Sequence, residues 1–110
     1  MPYDEELAER IRGLVAGEPG VAEQRMFGGL AFLIGGNMAV AASGQGGAMV
    51  RVDPEESDRL IETTPAEPFV MRGREMKGWL RVATDDLRDD AALAEWVRLG
   101  TAYARSLPAK

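Results

Sequence analysis

The residues best equipped for chemistry are a run of cations. Arg72, Arg74, Lys77 and Arg81 fall in one short stretch with only Glu75 among them, and Trp79 sits inside it. Arg25 and Arg51 stand on segments that read as other strands of the same sheet. Guanidinium groups hold carboxylates and phosphates through paired N–H donors, and a Trp beside them adds contact area. Arg25, Arg51, Arg72, Arg74, Lys77, Trp79 and Arg81 are therefore a candidate interaction patch for an acidic partner or a phosphate. The plainer reading is a polar hairpin loop whose arginines pair with acidic helices.

Little else in the chain is equipped to react. It has no His and no Cys. Thiolate nucleophiles, zinc fingers, Ser-His-Asp triads and imidazole acid–base catalysis are excluded within it. Ser43, Ser57 and Ser106 have no histidine to activate them. The acidic residues read as helix faces, helix starts and turns, where nothing raises a carboxyl pKa. Asp53 to Asp58 and Asp85 to Asp90 cluster oxygen atoms, but without the alternating ligands and central Gly of a calcium loop. The run from Phe27 to Gly36 is glycine-flanked, yet it lacks the Gly-Lys-Ser/Thr ending of a phosphate loop and opens no helix. The expectation is no catalytic residue, no cofactor and no metal: not an enzyme.

The chain has 110 residues, enough for one domain over 1–110 with a modest core. Hydrophobic residues make up 45% and charged residues 28%, a globular balance. Thirteen Lys and Arg against 18 Asp and Glu leave a net charge of −5. That opposes whole-surface attraction to DNA, RNA or anionic lipid, so direct nucleic-acid binding is the least favoured reading. The most apolar stretch, Met26 to Ala42, is broken by Gly28, Gly29, Gly35, Gly36 and Asn37, and is no membrane span. The acidic start Tyr3-Asp4-Glu5-Glu6 is unlike a secretory signal, and a cytoplasmic location is expected.

Positioning these residues falls to three helices and a sheet. Asp4 caps a first helix to Ala16, with Leu7, Ile11, Leu14 and Val15 as its apolar stripe. Strands are expected over Val21 to Phe27, Leu30 to Ile34, Met38 to Ala42 and Ala48 to Val52, with Gly35-Gly36-Asn37 as a hairpin turn. Leu30 to Ile34 is apolar throughout, as in a strand covered on both sides. Asp53, Pro54 and Glu56 mark the start of a second helix that stops before Pro65. Phe69 to Met71 is extended, Arg72 to Gly78 is a polar loop, and Trp79 to Val82 is a strand. There Leu80 and Val82 point inward, and Trp79 and Arg81 outward. The last helix runs from Asp89 or Asp90 to about Ser106, with Leu93, Trp96, Val97, Gly100, Tyr103, Ala104 and Leu107 on one stripe. Gly100 is placed there for close approach to a neighbour. Five methionines, Met26, Met38, Met49, Met71 and Met76, fall in or beside strands, for core filling or for adaptable partner binding. The order α-β-β-β-β-α-β-β-α has no βαβ rhythm, so the fold class is α+β: two layers, a mostly antiparallel sheet with helices packed on it.

The motif Arg25-Met26-Phe27-Gly28-Gly29, followed by Gly36-Asn37-Met38-Ala39, resembles the N-terminal domain of the TfoX/Sxy competence regulators. The acidic first helix, Val50-Arg51-Val52-Asp53 leading into a helix, Pro68-Phe69, Trp79 and the Trp96 helix follow the same order. The resemblance implies a secretion-chaperone-like α+β fold and a link to transcriptional control of natural transformation. The family's full regulators act with the cyclic-AMP receptor protein and carry a further C-terminal domain, which this sequence is expected to lack. What the resemblance then implies is a protein-binding, non-catalytic role.

The function expected is a small cytoplasmic regulatory module that binds another protein, such as a transcription regulator, with a homodimer as an open alternative. The competing reading is a small-ligand or anion-binding domain using Arg72, Arg74 and Lys77. If Trp79 and Arg81 lie on the outer sheet face, that face is at least partly exposed and used for association, unless a helix or loop of the same chain covers it.

Overall fold

A computed structural model describes residues 3–26 and 28–109; Phe27, third in the motif and last in its expected strand, lies outside them. Helix α1 spans Glu5–Val15. The Asp4 carboxylate starts it by accepting the Leu7 N–H at 3.1 Å, which satisfies one of the donors a first turn leaves free. Leu7, Ala8, Ile11 and Val15 form its buried stripe. Leu14 does not join them. It is 43% exposed, because Ala8 takes the inner position and the last turn carries Leu14 outward.

Strands β1 (Val21–Met26), β2 (Gly29–Ile34), β3 (Asn37–Ala42), β4 (Ala48–Arg51), β5 (Glu67–Met71) and β6 (Arg74–Val82) form one sheet in the order β1-β2-β3-β4-β6-β5. Every neighbouring pair is antiparallel. Leu30, Phe32, Val40, Val50, Leu80 and Val82 point to one face and are buried with Leu7, Ile11, Leu93, Trp96 and Val97 of the helices. This is the two-layer α+β arrangement expected from the element order.

Two local readings are corrected. The second helix does not begin as an α-helix at Pro54. The Asp53 carboxylate accepts the Glu55 N–H at 2.9 Å, and Pro54 to Glu56 form a 3-10 turn before helix α2 (Ser57–Thr63). Nor is Arg72 to Gly78 a loop. Only Arg72 and Gly73 turn, with φ of 55° and 77°, the two left-handed residues of a tight hairpin. From Arg74 onward the chain is already β6. Its polar start was misleading because this end of the strand is exposed and no core patterns it.

Helix α3 spans Asp90–Ser106, with the Asp89 carboxylate accepting the Ala91 N–H. Its buried stripe is Leu93, Trp96, Val97, Gly100, Thr101 and Ala104, with Tyr103 and Leu107 half-buried. A side chain at Gly100 would collide with the Ala39 carbonyl, so the glycine does permit the close approach.

Between β5 and β6 the register breaks. Pro68 stands opposite Leu80, but Val70 stands opposite Glu75, so five residues of β6 are matched by two of β5. The surplus bends the hairpin tip. Gly78 sits in this bend with φ 88°, a conformation costly for any other residue. Its N–H donates to the buried Ser57 hydroxyl at 3.3 Å, and its carbonyl accepts the Val52 N–H at 2.8 Å. Helix α2 thereby fixes the angle at which the tip leaves the sheet.

Candidate functional site

The face of the sheet turned away from the helices is not polar. Ala31, Met38, Ala41 and Met49 are buried on it, with Met26, Leu33, Phe69 and Trp79 half-buried against them. All eight come from strands. Part of the cover is the bent β5–β6 tip. A cavity of about 300 Å³ is lined by Met26 of β1, by Met38, Ala41 and Met49, and by Phe69, Met71 and Arg72. Strands β1 and β5 are opposite edges of the sheet. In a flat sheet they would stand roughly 24 Å apart at about 4.8 Å per strand. They share one cavity because the sheet curls and its hairpin tip folds over the open face. A second cavity of about 160 Å³ continues the first between Met38, Met49, Phe69, Met71, Met76 and Trp79.

Every methionine among the described residues lines this groove. None of the five belongs to the main core between sheet and helices. Met38 and Met49 do fill a core, a second and smaller one in which they are buried with Ala31 and Ala41, while Met26, Met71 and Met76 are more exposed and line the groove beside it. Thioethers on unbranched chains give an apolar surface that reshapes at low cost, unlike one built of branched residues.

The cations of the candidate patch divide between the two faces. Arg81 stands opposite Met49 in register, so it shares the groove face, and its guanidinium reaches the Gly46 carbonyl at 3.4 Å. Arg74 stands opposite Met71, and Arg72 lines the larger cavity. Arg51 stands opposite Trp79, its Cζ 5.0 Å from the Trp79 ring centroid and 5.5 Å from that of Tyr103. Trp79 itself is half-buried in the groove wall. Arg25 parts from this group: it stands opposite Leu30 and so projects on the helix side of β1. Lys77 also parts from it, with Nζ 3.7 Å from the Asp58 carboxylate of α2. Arg72, Arg74 and Lys77 therefore do not converge on one anion site.

Ion pairing sharpens the division. Arg10, Arg12, Arg59, Lys77, Arg88, Arg98 and Arg105 each lie within ion-pair distance of a carboxylate. Among the described residues, the arginines in no ion pair are Arg25, Arg51, Arg72, Arg74 and Arg81. Of these, Arg72 lines the groove, Arg51 and Arg81 share its face by register, and Arg74 stands opposite Met71 at the hairpin tip. The three acidic residues on strands are Glu23, Glu67 and Glu75. Of these, only Glu67, opposite Arg81, falls on the groove face. The acidic clusters at the helix starts have structural uses: Asp53 and Asp89 cap, Asp85 pairs with Arg88, and Asp90 pairs with Arg10 at 2.8 Å.

A family model, the TfoX N-terminal domain, matches residues 13–104. The chain belongs to the TfoX N-terminal domain family. No curated protein and no solved structure matches it. In this TfoX N-terminal domain the matched span takes in all six strands and therefore the whole groove.

The motif residues have plain structural tasks in it. Gly28 turns the chain between β1 and β2 with φ 75°, and a side chain at Gly29 would strike the Ala42 carbonyl. Gly36 belongs to the β2–β3 turn, and the buried Asn37 donates its side-chain N–H to the Pro108 carbonyl at 2.9 Å, tying the chain's end to the sheet. Met26 and Met38 are groove residues. The motif thus builds the β1–β2–β3 part of the curl and supplies two side chains to its inner surface.

Sequence reasoning did not single out Ser57 and Tyr103 as partners of site residues, nor Phe69 as groove wall. A buried Ser at a helix start was a weak signal, and nothing in the spacing links Tyr103 to Arg51. No helix of the described residues is long and apolar enough to cross a membrane.

Proposed function

We propose that this competence-regulator-like module is a non-enzymatic, cytoplasmic regulatory domain that acts by binding another protein through the methionine-lined groove. One observation carries the reading. The groove gathers every described methionine together with Arg72, and Arg51, Arg74 and Arg81, likewise without a carboxylate partner, lie by register on the same side of the sheet, the one the helices leave open. Adaptable apolar surface ringed by cations suits recognition of a partner segment. Among the described residues of this surface no pair of groups is arranged as nucleophile and base.

A photo-reactive benzoylphenylalanine placed singly at Val70, Met76 or Leu14 tests this in the native cell. Among the described residues these are the exposed large apolar ones, two at the hairpin tip and one on α1. Irradiation is expected to give a discrete adduct with another protein from Met76 and none from Leu14, with Val70, which stands opposite Glu75 on the other face of the hairpin, as a second control. Adducts from Leu14 alone would move the binding surface to the helix layer and reject the groove.

A further inference from the structure

The chemistry of the groove also indicates what kind of segment enters it. Its floor, Met38, Met49, Ala31 and Ala41, is apolar, and the smaller cavity is walled by Phe69, Met71, Met76 and Trp79. Such a floor takes side chains of leucine or phenylalanine character. Arg72, Arg74 and Arg81 stand around it with no carboxylate partner, and Arg51 is held against two aromatic rings. These charges are spread from one end of β6 to the other. A single anionic headgroup would satisfy one of them, whereas carboxylates repeated along a segment would satisfy several. A second copy of the chain placed face to face would set arginines against arginines, a repulsive arrangement.

Resting on the reading of the groove as an interaction surface, we propose that it binds an acidic amphipathic helix of a partner protein. The apolar stripe of that helix enters the two cavities, with anchors at i, i+3, i+4 and i+7. Its flanking Glu and Asp residues meet Arg72, Arg74 and Arg81. A helix lies on a sheet face by burying one stripe, as α1 and α3 do on the opposite side. A strand added to the free edge of β1 or β5 would leave the cavities empty.

The experiment uses the whole chain and two synthetic helical peptides without tryptophan. Both carry leucines at the anchor spacing; one has glutamates at the flanking positions and the other lysines. Binding is read from tryptophan emission, since Trp79 lines the groove while Trp96 is buried in the other core. The glutamate peptide is expected to saturate with a blue shift, and the lysine peptide to bind at least about tenfold more weakly. Its affinity is expected to fall as salt is raised. The double variant Arg72→Glu/Arg81→Gln, which sets no second carboxylate opposite Glu67, is expected to stay folded with a cooperative thermal transition and to lose the preference for the glutamate peptide.

Equal binding of the two peptides, or a preference unmoved by the double variant, would overturn the acidic-helix inference. The groove would then remain an interaction surface without a charge rule. Failure of both peptides alongside saturable binding of laurate or of a single-stranded oligonucleotide would overturn the inference and the protein-partner reading together.

Discussion

Arg51 and Trp79 stand opposite each other on β4 and β6, with the Arg51 Cζ 5.0 Å from the Trp79 ring centroid. The same guanidinium lies 5.5 Å from the Tyr103 ring of α3. One cation thereby links the groove wall to the helix layer. Cation–ring contact of this kind contributes about 0.5–2 kcal/mol, and it holds the Trp79 indole in place on the groove side.

The two tryptophans should therefore respond differently to truncation. Trp96 is 6% exposed in the main core, and Trp96→Ala is expected to cost about 3–5 kcal/mol of folding stability. Trp79 is half-buried and packs partly on the chain's own methionines. For Trp79→Ala the expected loss is about 2 kcal/mol, from burial of roughly half its surface. Partner association should weaken as well. Urea unfolding of both variants, with binding measured on the second, checks this.

Arg72 offers a separation of fold from function. Its φ of 55° is left-handed, strained for a long side chain and easier for asparagine. Arg72→Asn is expected to stabilise the fold by about 1 kcal/mol while weakening partner binding. A thermal melt and a binding titration on one protein sample test both halves. A variant less stable than the parent would show that the Arg72 side chain supports the hairpin.

Ser57 sets the bend. Ser57→Ala would leave the buried Gly78 N–H without its acceptor, and such a loss costs about 1–3 kcal/mol. Beyond the stability loss, amides of the β5–β6 tip should exchange hydrogen faster than in the parent, with those of β2 and β3 changed only by the global loss. Uniformly faster exchange across the sheet would contradict a hinge at this point.

The helix side carries the acid sensitivity. A hydrogen bond from Arg12 holds the Glu23 carboxyl below the usual carboxylate range, outweighing the opposing effect of burial. A lowered folded pKa means that this pair stabilises above the unfolded value and that the contribution is lost as pH falls through the folded value. Glu23→Gln should therefore unfold at a slightly lower temperature than the parent near neutrality. The gap should close as pH falls through and below the ordinary glutamate range. Melting curves across that range measure it. A gap that persists at the acid end would show that the pair is not its origin.

Much of the fold was legible in residues with local rules. Asp4, Asp53 and Asp89 cap where their position implied, and alternation in Ala48 to Val52 sorted Val50 from Met49 onto the two faces. The double-sided apolar character of Leu30 to Ile34 already required cover on the second face. What supplies that cover was not legible. It depends on the surplus residues of β6 and on the Gly78–Ser57 contact, which join segments 21 residues apart. The patch was half legible for a related reason. Strand parity put Arg51, Trp79 and Arg81 on one face, but whether Arg25 and Lys77 joined them depended on register and on the position of α2.

The most direct test of the groove as a binding surface is a spectrum of the methionine methyl groups. The chain, labelled at its methionine methyls and at its leucine methyls, is titrated with the glutamate-flanked helical peptide. The account predicts that Met26, Met38, Met49, Met71 and Met76 shift together as the peptide saturates, while Leu7, Leu87 and Leu93 of the main core stay in place. Shifts confined to the leucines of α1 and α3, with the five methionines unmoved at saturation, would contradict it.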